Sequence, residues 1–194
     1  MLHDSCYMNK PLKVGFDLDG VLLYNPTRIA RQPIVLFKHI FMKKREKKFV
    51  IPKSKFVKFV YKLLHLSSFM YAAGLDDIEK LVRAGKIEAH IITARFDFLE
   101  DDFKKKLIKL NRGSIFTSAH INRKNEQPHL FKERKINELG LDVFVEDNYD
   151  IVNHLNKKSN AKVYWIYNIF DRNIIHPFKF PNLKEAVTRL KKNI

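Results

Sequence analysis

The stretch LKVGFDLDGVLLYNP, residues 12–26, decides how the chain is read. Its first five residues, Leu12–Phe16, form an apolar run of strand character, and the run ends on Asp17 and Asp19 with one residue between them. On an extended chain, residues two apart project to the same side. Gly20 then permits a tight exit of the backbone. Either aspartate alone reads as an ordinary turn residue. A pair placed where a buried strand stops raises a sharper possibility, because open α/β sheets bind ligands beyond the carboxyl ends of their strands.

Composition narrows the class. The 194 residues are 45% hydrophobic, enough for one sizeable core with a small appended module. The single cysteine, Cys6, excludes an internal disulfide framework and points to a reducing compartment, so the expected location is cytoplasmic. No apolar run approaches the roughly 20 residues of a membrane span. The first residues, MLHDSCYMNKP, lack a hydrophobic signal core. The net charge of +16 favours an anionic partner: a phosphate ester, a nucleic acid or a lipid headgroup. The plain alternative for most of these lysines is a solvated basic surface.

Outward from the first strand, strands alternate with helices. The runs Glu88–Ile92, Ser114–Thr117, Val143–Val145 and Lys162–Tyr167 read as further strands. Helical patterns cover Asp97–Leu110, Phe131–Leu139 with its stop at Gly140, Tyr149–Leu155 and Leu183–Leu190. This alternation predicts an α/β fold, a parallel sheet with helices on both faces. The alternation fails between Val21 and Lys86, where no strand pair is evident. Helical stretches at Arg28–Phe41 and Phe56–Tyr71 flank the basic link KKREKKFVIPKSK, and Asp76-Asp77 would cap a helix running through Leu81. The expected organisation is therefore a core of residues 12–22 and 86–194 with a helical cap insert, 23–85, over the strand ends.

The strand ends collect the chemistry. The first gives Asp17 and Asp19, the second Thr93-Ala94-Arg95, and the fourth Glu146-Asp147-Asn148, with Lys132 and Lys135 on the helix before it. With FDLDGV, IITAR, a lysine before ELG and VFVEDN in this order, the chain resembles the haloacid dehalogenase-like (HAD) superfamily, mostly phosphatases. The resemblance spans roughly Lys13 to Leu190. The tail KVYWIYNIFDRN is loosely similar to the small-capped 5'-nucleotidase-like branch. The resemblance implies a Rossmann-like five-stranded parallel sheet of order 5-4-1-2-3. It also implies a magnesium-dependent phosphomonoester hydrolase acting through an aspartyl-phosphate.

On the same resemblance, Asp17 would be the nucleophile and a metal ligand, Asp147 a second ligand and the backbone carbonyl of Asp19 a third. The Asp19 side chain would act as acid and base. Thr93, with the amides of Ala94 or Arg95, would hold the phosphate, and a lysine would balance its charge; the family spacing favours Lys132 over Lys135. Many relatives have Asp-Asp or Gly-Asp where this chain has Glu-Asp, which leaves Glu146 and Asp150 without a fixed role. Read singly, Thr93 is a helix cap, the lysines are solvated helix charges, Asp147 caps the following helix, and Arg95 pairs either with substrate or with Glu100.

The expected substrate is a small phosphorylated metabolite such as a nucleotide, with Tyr24, Asn25 and the run Lys43–Lys48 as candidate contacts. A reading of another class is a basic binding module that docks nucleic acid or an anionic membrane.

Overall fold

The computed structural model describes residues 10–24, 52, 54–66, 70–111 and 114–194. Cys6, Asn25, the expected helix Arg28–Phe41 and the basic run Lys43–Lys48 lie outside the described residues. The described elements in chain order are β1 (Leu12–Phe16), β2 (Leu23–Tyr24), α1 (Lys55–Leu66), β3 (Met70–Tyr71), α2 (Leu75–Arg83) and β4 (Ile87–Thr93). Then follow α3 (Glu100–Leu110), β5 (Phe116–Ile121), α4 (Pro128–Leu139), β6 (Val143–Glu146), α5 (Tyr149–Lys158), β7 (Lys162–Ile166), β8 (Lys179–Phe180) and α6 (Leu183–Lys191).

The main sheet is parallel and runs β5-β4-β1-β6-β7-β8. The α/β parallel architecture agrees with the sequence, but the expected five-stranded sheet does not: among the described residues the sheet has six strands. The sixth, Lys179–Phe180, is only two residues long and follows a polar loop, too short to leave a periodic signature.

Strand β1 lies between β4 and β6, so both its edges are paired. Val14 and Phe16 join one core layer with residues of β4, α2 and α6. The second layer, built from Phe131, Ile136, Phe144, Val152, Leu155 and Trp165, fills the space under α4 and α5. Each such buried side chain contributes on the order of 1.5–3 kcal/mol. Gly15 lies against that second layer; a Cβ there would stand 2.4 Å from Leu141 Cδ1 and 2.8 Å from Phe144 Cδ2. Any side chain at this position would force the Leu141 and Phe144 side chains to shift.

Helix ends follow local chemistry. α4 begins on Pro128 and ends at Gly140, whose φ of 60° is the left-handed conformation that glycine adopts without cost. α5 and α6 are capped by Asn148 and Asn182, whose side chains each accept a backbone N–H at 3.0 Å.

Several expectations change in the structure. The third long strand is Phe116–Ile121 rather than Ser114–Thr117, because Ser114 has φ 51° and cannot begin a strand, while Asn111 Oδ1 accepts the Phe116 amide at 2.8 Å and sets the start. Its polar residues Ser118 and His120 hid it. The helix expected from Asp97 begins with a 3₁₀ turn, Asp97–Leu99, before α3. Phe56–Tyr71 is not continuous helix: α1 stops at Leu66, and Met70–Tyr71 pairs antiparallel with Leu23–Tyr24. A short ribbon thus stands where no strand pair was expected. Asp76 and Asp77 lie in the first turn of α2 rather than capping it; the N-cap is Gly74 at φ 111°. Helix α2 packs against β4 and α6 on the core sheet, although the expected division counts it with the insert.

Candidate active site

At the end of β1 the backbone is held on both sides before it turns. The Asp17 amide donates to the Val145 carbonyl of β6 at 2.9 Å. Gly20, at φ 84°, donates to Leu23 O at 2.8 Å, closing the tight exit. Asp17 is left only 6% exposed, with its carboxylate facing α4. There Lys132, 2% exposed, reaches it at 3.0 Å and Glu146 Oε2 at 2.6 Å. Lys135 points elsewhere and pairs with Glu138 at 2.6 Å. Of the two candidate lysines, the structure brings Lys132 to the carboxylates.

Three carboxylates crowd this point: oxygens of Asp17, Glu146 and Asp147 all lie within 4.8 Å of one another. Burial raises the Asp17 carboxyl well above the ordinary carboxylate range; Lys132 pulls it back, and Glu146, Asp147 and Asp19 push it up again. Burial acts in the opposite sense on Lys132, yet Asp17 and Glu146 outweigh it and hold the ammonium above its usual range. Glu146 has 0% exposure and both its oxygens are engaged. Oε1 accepts the amides of Asp147 and Asn148 at 3.2 and 3.0 Å, and Oε2 accepts Lys132. It therefore shapes the turn that presents Asp147. The cap of α5 is Asn148, not Asp147. Asp150, exposed in the first turn of α5, is not among the three clustered carboxylates.

The second aspartate has other partners. Arg95 donates Nε to Asp19 Oδ2 at 2.6 Å and Nη2 to Oδ1 at 2.7 Å, a bidentate pair. Its Nη1 donates to Asp102 at 2.7 Å. The guanidinium does not reach Glu100, which pairs instead with Arg123 at 2.9 Å and Lys104 at 3.1 Å. His65 of α1 approaches Asp19 Oδ2 at 3.7 Å. Burial alone would raise the Asp19 carboxyl, but its bonds to Arg95 and His65 hold it far below the ordinary range. Asp17 and Asp19, alike in sequence, are thus driven apart. One is burdened by burial and like charge; the other is locked as a carboxylate by a cation.

Around this pair, Thr93 is buried at the carboxyl end of β4, and Ala94 follows it half-buried. Tyr24 is exposed in β2, opposite Met70. Asp102, His65 and Lys106 are members of the site that the sequence did not disclose. Lys106 donates to Asp102 and to the His65 carbonyl, tying the end of α1 to α3. Asp102 reads as one of three acidic residues in a first helical turn, and nothing in its spacing marks it out.

Magnesium is the ion that the sequence resemblance implies, and the donor set suits it. Asp17, Glu146 and Asp147 offer hard oxygens with no thiolate or imidazole among them. A carboxyl raised by burial and by neighbouring like charges is one that a divalent cation would relieve.

No family model and no curated protein matches the chain. Solved structures do. A HAD-superfamily hydrolase from Ehrlichia chaffeensis superposes with TM-score 0.53 at 13% identity, over 95% of this chain and 98% of that one. A HAD-hydrolase from Bacillus subtilis, bound to magnesium, gives 0.57 at 12% identity, over 94% and 100%. CbbY from Rhodobacter sphaeroides, in complex with phosphate, gives 0.54 at 12%, over 89% and 95%. At such identity the likeness concerns the fold, and the fold is that of the HAD-superfamily hydrolases.

Proposed function

We propose that this chain, folded as a HAD-superfamily hydrolase, is a magnesium-dependent phosphomonoester hydrolase working through an aspartyl-phosphate on Asp17. The observation that carries the reading is the grouping at the end of β1. It joins a buried carboxylate, a lysine 3.0 Å away and two further carboxylates within 4.8 Å. A phosphate monoester is a dianion, and Asp17 can approach it only where the negative charge is offset. Lys132 supplies one fixed positive charge, and magnesium, held by Asp17, Asp147 and the Asp19 carbonyl, would supply the rest as a Lewis acid.

In the first half-reaction an Asp17 oxygen forms the new bond to phosphorus while the ester P–O bond breaks, and the departing oxygen takes its proton from Asp19 in its protonated form. In the second, water attacks the phosphorus, releases inorganic phosphate and regenerates the Asp17 carboxylate. Asp19, held ionised by Arg95, is suited to accept that water's proton. Having done so, it carries the proton that the next leaving group needs. Thr93 and the amides after it would receive the phosphoryl oxygens. In this reading Arg95 serves Asp19, and each of its three nitrogens already donates within the protein.

The substrate class in this proposal is a small phosphorylated metabolite, with nucleotides tested first on the strength of the tail's similarity to the nucleotidase-like branch. The insert after β1 would act as the cap that chooses it, and Tyr24 at its start would face the entrance. The test is phosphate release from p-nitrophenyl phosphate and a panel of nucleoside monophosphates, with magnesium and with EDTA. No release from any ester, or release unchanged by chelation and by Asp17→Asn, would refute the proposal.

A second reading draws on α1, where Phe56, Phe59 and Leu63 are exposed and Lys55, Lys58 and Lys62 lie on the same helix. Such a surface suits an anionic membrane or nucleic acid. Salt-sensitive binding to acidic vesicles or to nucleic acid by a chain with no esterase activity would favour it.

A further inference from the structure

The sole tryptophan, Trp165, stands beside the carboxylate cluster without being part of it. It lies on β7 opposite Glu146 in the sheet register and is fully buried. Its indole Nε1–H donates to the backbone carbonyl of Asp147 at 3.3 Å. Asp147 is the carboxylate that Glu146 presents from the other side, through its own amide. The peptide groups flanking Asp147 are therefore gripped twice, by a carboxylate on the N–H and by an indole on the C=O.

The indole is itself held. Tyr149 packs on it with ring centroids 4.8 Å apart, and His176 meets it edge-on at 5.8 Å. The Lys179 ammonium sits 5.3 Å from the Trp165 ring centroid and 4.7 Å from that of Tyr167. Lys179 comes from β8, paired with Trp165 in the sheet. Its three protons are directed to the carbonyls of Arg172, Ile174 and Asp171 at 2.5, 2.7 and 3.2 Å. The sixth strand thus has a use beyond closing the sheet: it places a cation that fixes both the 171–174 loop and the indole.

We infer that Trp165, backed by Lys179, is a positioning residue for divalent-metal binding, setting Asp147 through its backbone carbonyl. The inference rests on the proposed metal site. It follows from the general behaviour of metal ligands, whose own hydrogen-bonding partners orient them and typically alter affinity 10–100-fold when removed. Phenylalanine fills most of the indole's volume but has no N–H to offer, so Trp165→Phe separates the hydrogen bond from the packing. Lys179→Met removes the cation from the ring faces and the carbonyls while leaving the indole in place.

The experiment is magnesium binding measured by calorimetry on the whole chain, without substrate, with thermal unfolding plus and minus magnesium as a second readout. The parent binds magnesium and unfolds at a higher temperature with it. Trp165→Phe, still folded by circular dichroism, should bind about 10–100-fold more weakly and lose most of that rise. Lys179→Met should weaken binding in the same direction by less, and its tryptophan emission should respond to magnesium less than the parent's. Tyr164→Phe, which removes a contact to Asn193 and leaves Asp147 untouched, should bind as the parent does. Equal affinity in parent and Trp165→Phe would overturn the inference and leave the metal site standing. A parent that binds no magnesium would overturn both.

Discussion

Replacing Lys132 by methionine removes the only positive charge that touches Asp17 or Glu146 among the described ion pairs. At 3.0 and 2.6 Å, the attractions are about 5.5 and about 6.4 kcal/mol at an effective dielectric near 20, offset in large part by the cost of burying the lysine. Breaking such a pair costs about 3–5 kcal/mol, because the partners stay buried without compensation. The cost should depend on pH. Without the lysine, the Asp17 carboxyl, already raised by burial, loses the charge that pulls it back, so the native state holds more protons than the unfolded one. Stability then falls as pH rises through the window from about 4 up to the raised value. Urea unfolding of Lys132→Met, followed by Trp165 emission, should show the larger loss at pH 8 and a smaller one at pH 6. Phosphate release should fall by about 10²–10³, the scale of losing one charge-stabilising donor. A variant within about 1 kcal/mol of the parent at both pH values would show that Lys132 does not carry this balance. Unchanged turnover would remove it from the chemistry.

Other outcomes follow from the same geometry. Asp17→Asn should abolish turnover while leaving stability equal or higher, since it relieves a buried carboxylate; denaturation and phosphate release measured on one preparation check both. Because Asp17 is raised in the absence of metal, magnesium competes with a proton there. Affinity should therefore increase with pH, and calorimetry in buffers of different ionisation enthalpy should detect proton release on binding. Arg95→Leu frees Asp19 from the cation that holds it low, so the acidic limb of the kcat/KM profile should move to higher pH, with partial return in Arg95→Lys. His90 is buried, bonded to Ser118 at 2.8 Å, and lowered by burial. The unfolded state takes up its proton first, so stability should decline as pH falls below about 6.5, and His90→Gln should flatten that decline.

Much of this architecture is legible in local pattern. The apolar runs of β1, β4, β6 and β7, the stop at Gly140 and the polar spacing of α4 and α5 are set by residues next to one another. Strand β5 was legible only in part, because its Ser118 and His120 serve a hydrogen-bond chain from His90 at the sheet edge rather than the apolar core. Strand β8 has no periodicity to read. It forms because Trp165 and Tyr167 donate their amides to Phe178 and Phe180, a pairing made available only once β7 is in place. The β2–β3 ribbon likewise joins residues far apart in the chain.

For the site, the sequence by itself determined which residues come to the strand ends: Asp17 and Asp19, Thr93 and Arg95, Glu146 and Asp147. That follows from strand periodicity, which needs only neighbours. The tertiary structure alone decided their partners. It chose Lys132 over Lys135, because Lys132 lies on the buried face of α4 toward Asp17, whereas Lys135 pairs along the same helix with Glu138. It gave Arg95 to Asp19 and Asp102 rather than Glu100, and it set an indole under Asp147. Charge and hydrogen bonding act through space over a few ångströms, so the ionisation of two aspartates one residue apart is settled by what packs against them, not by their place in the chain.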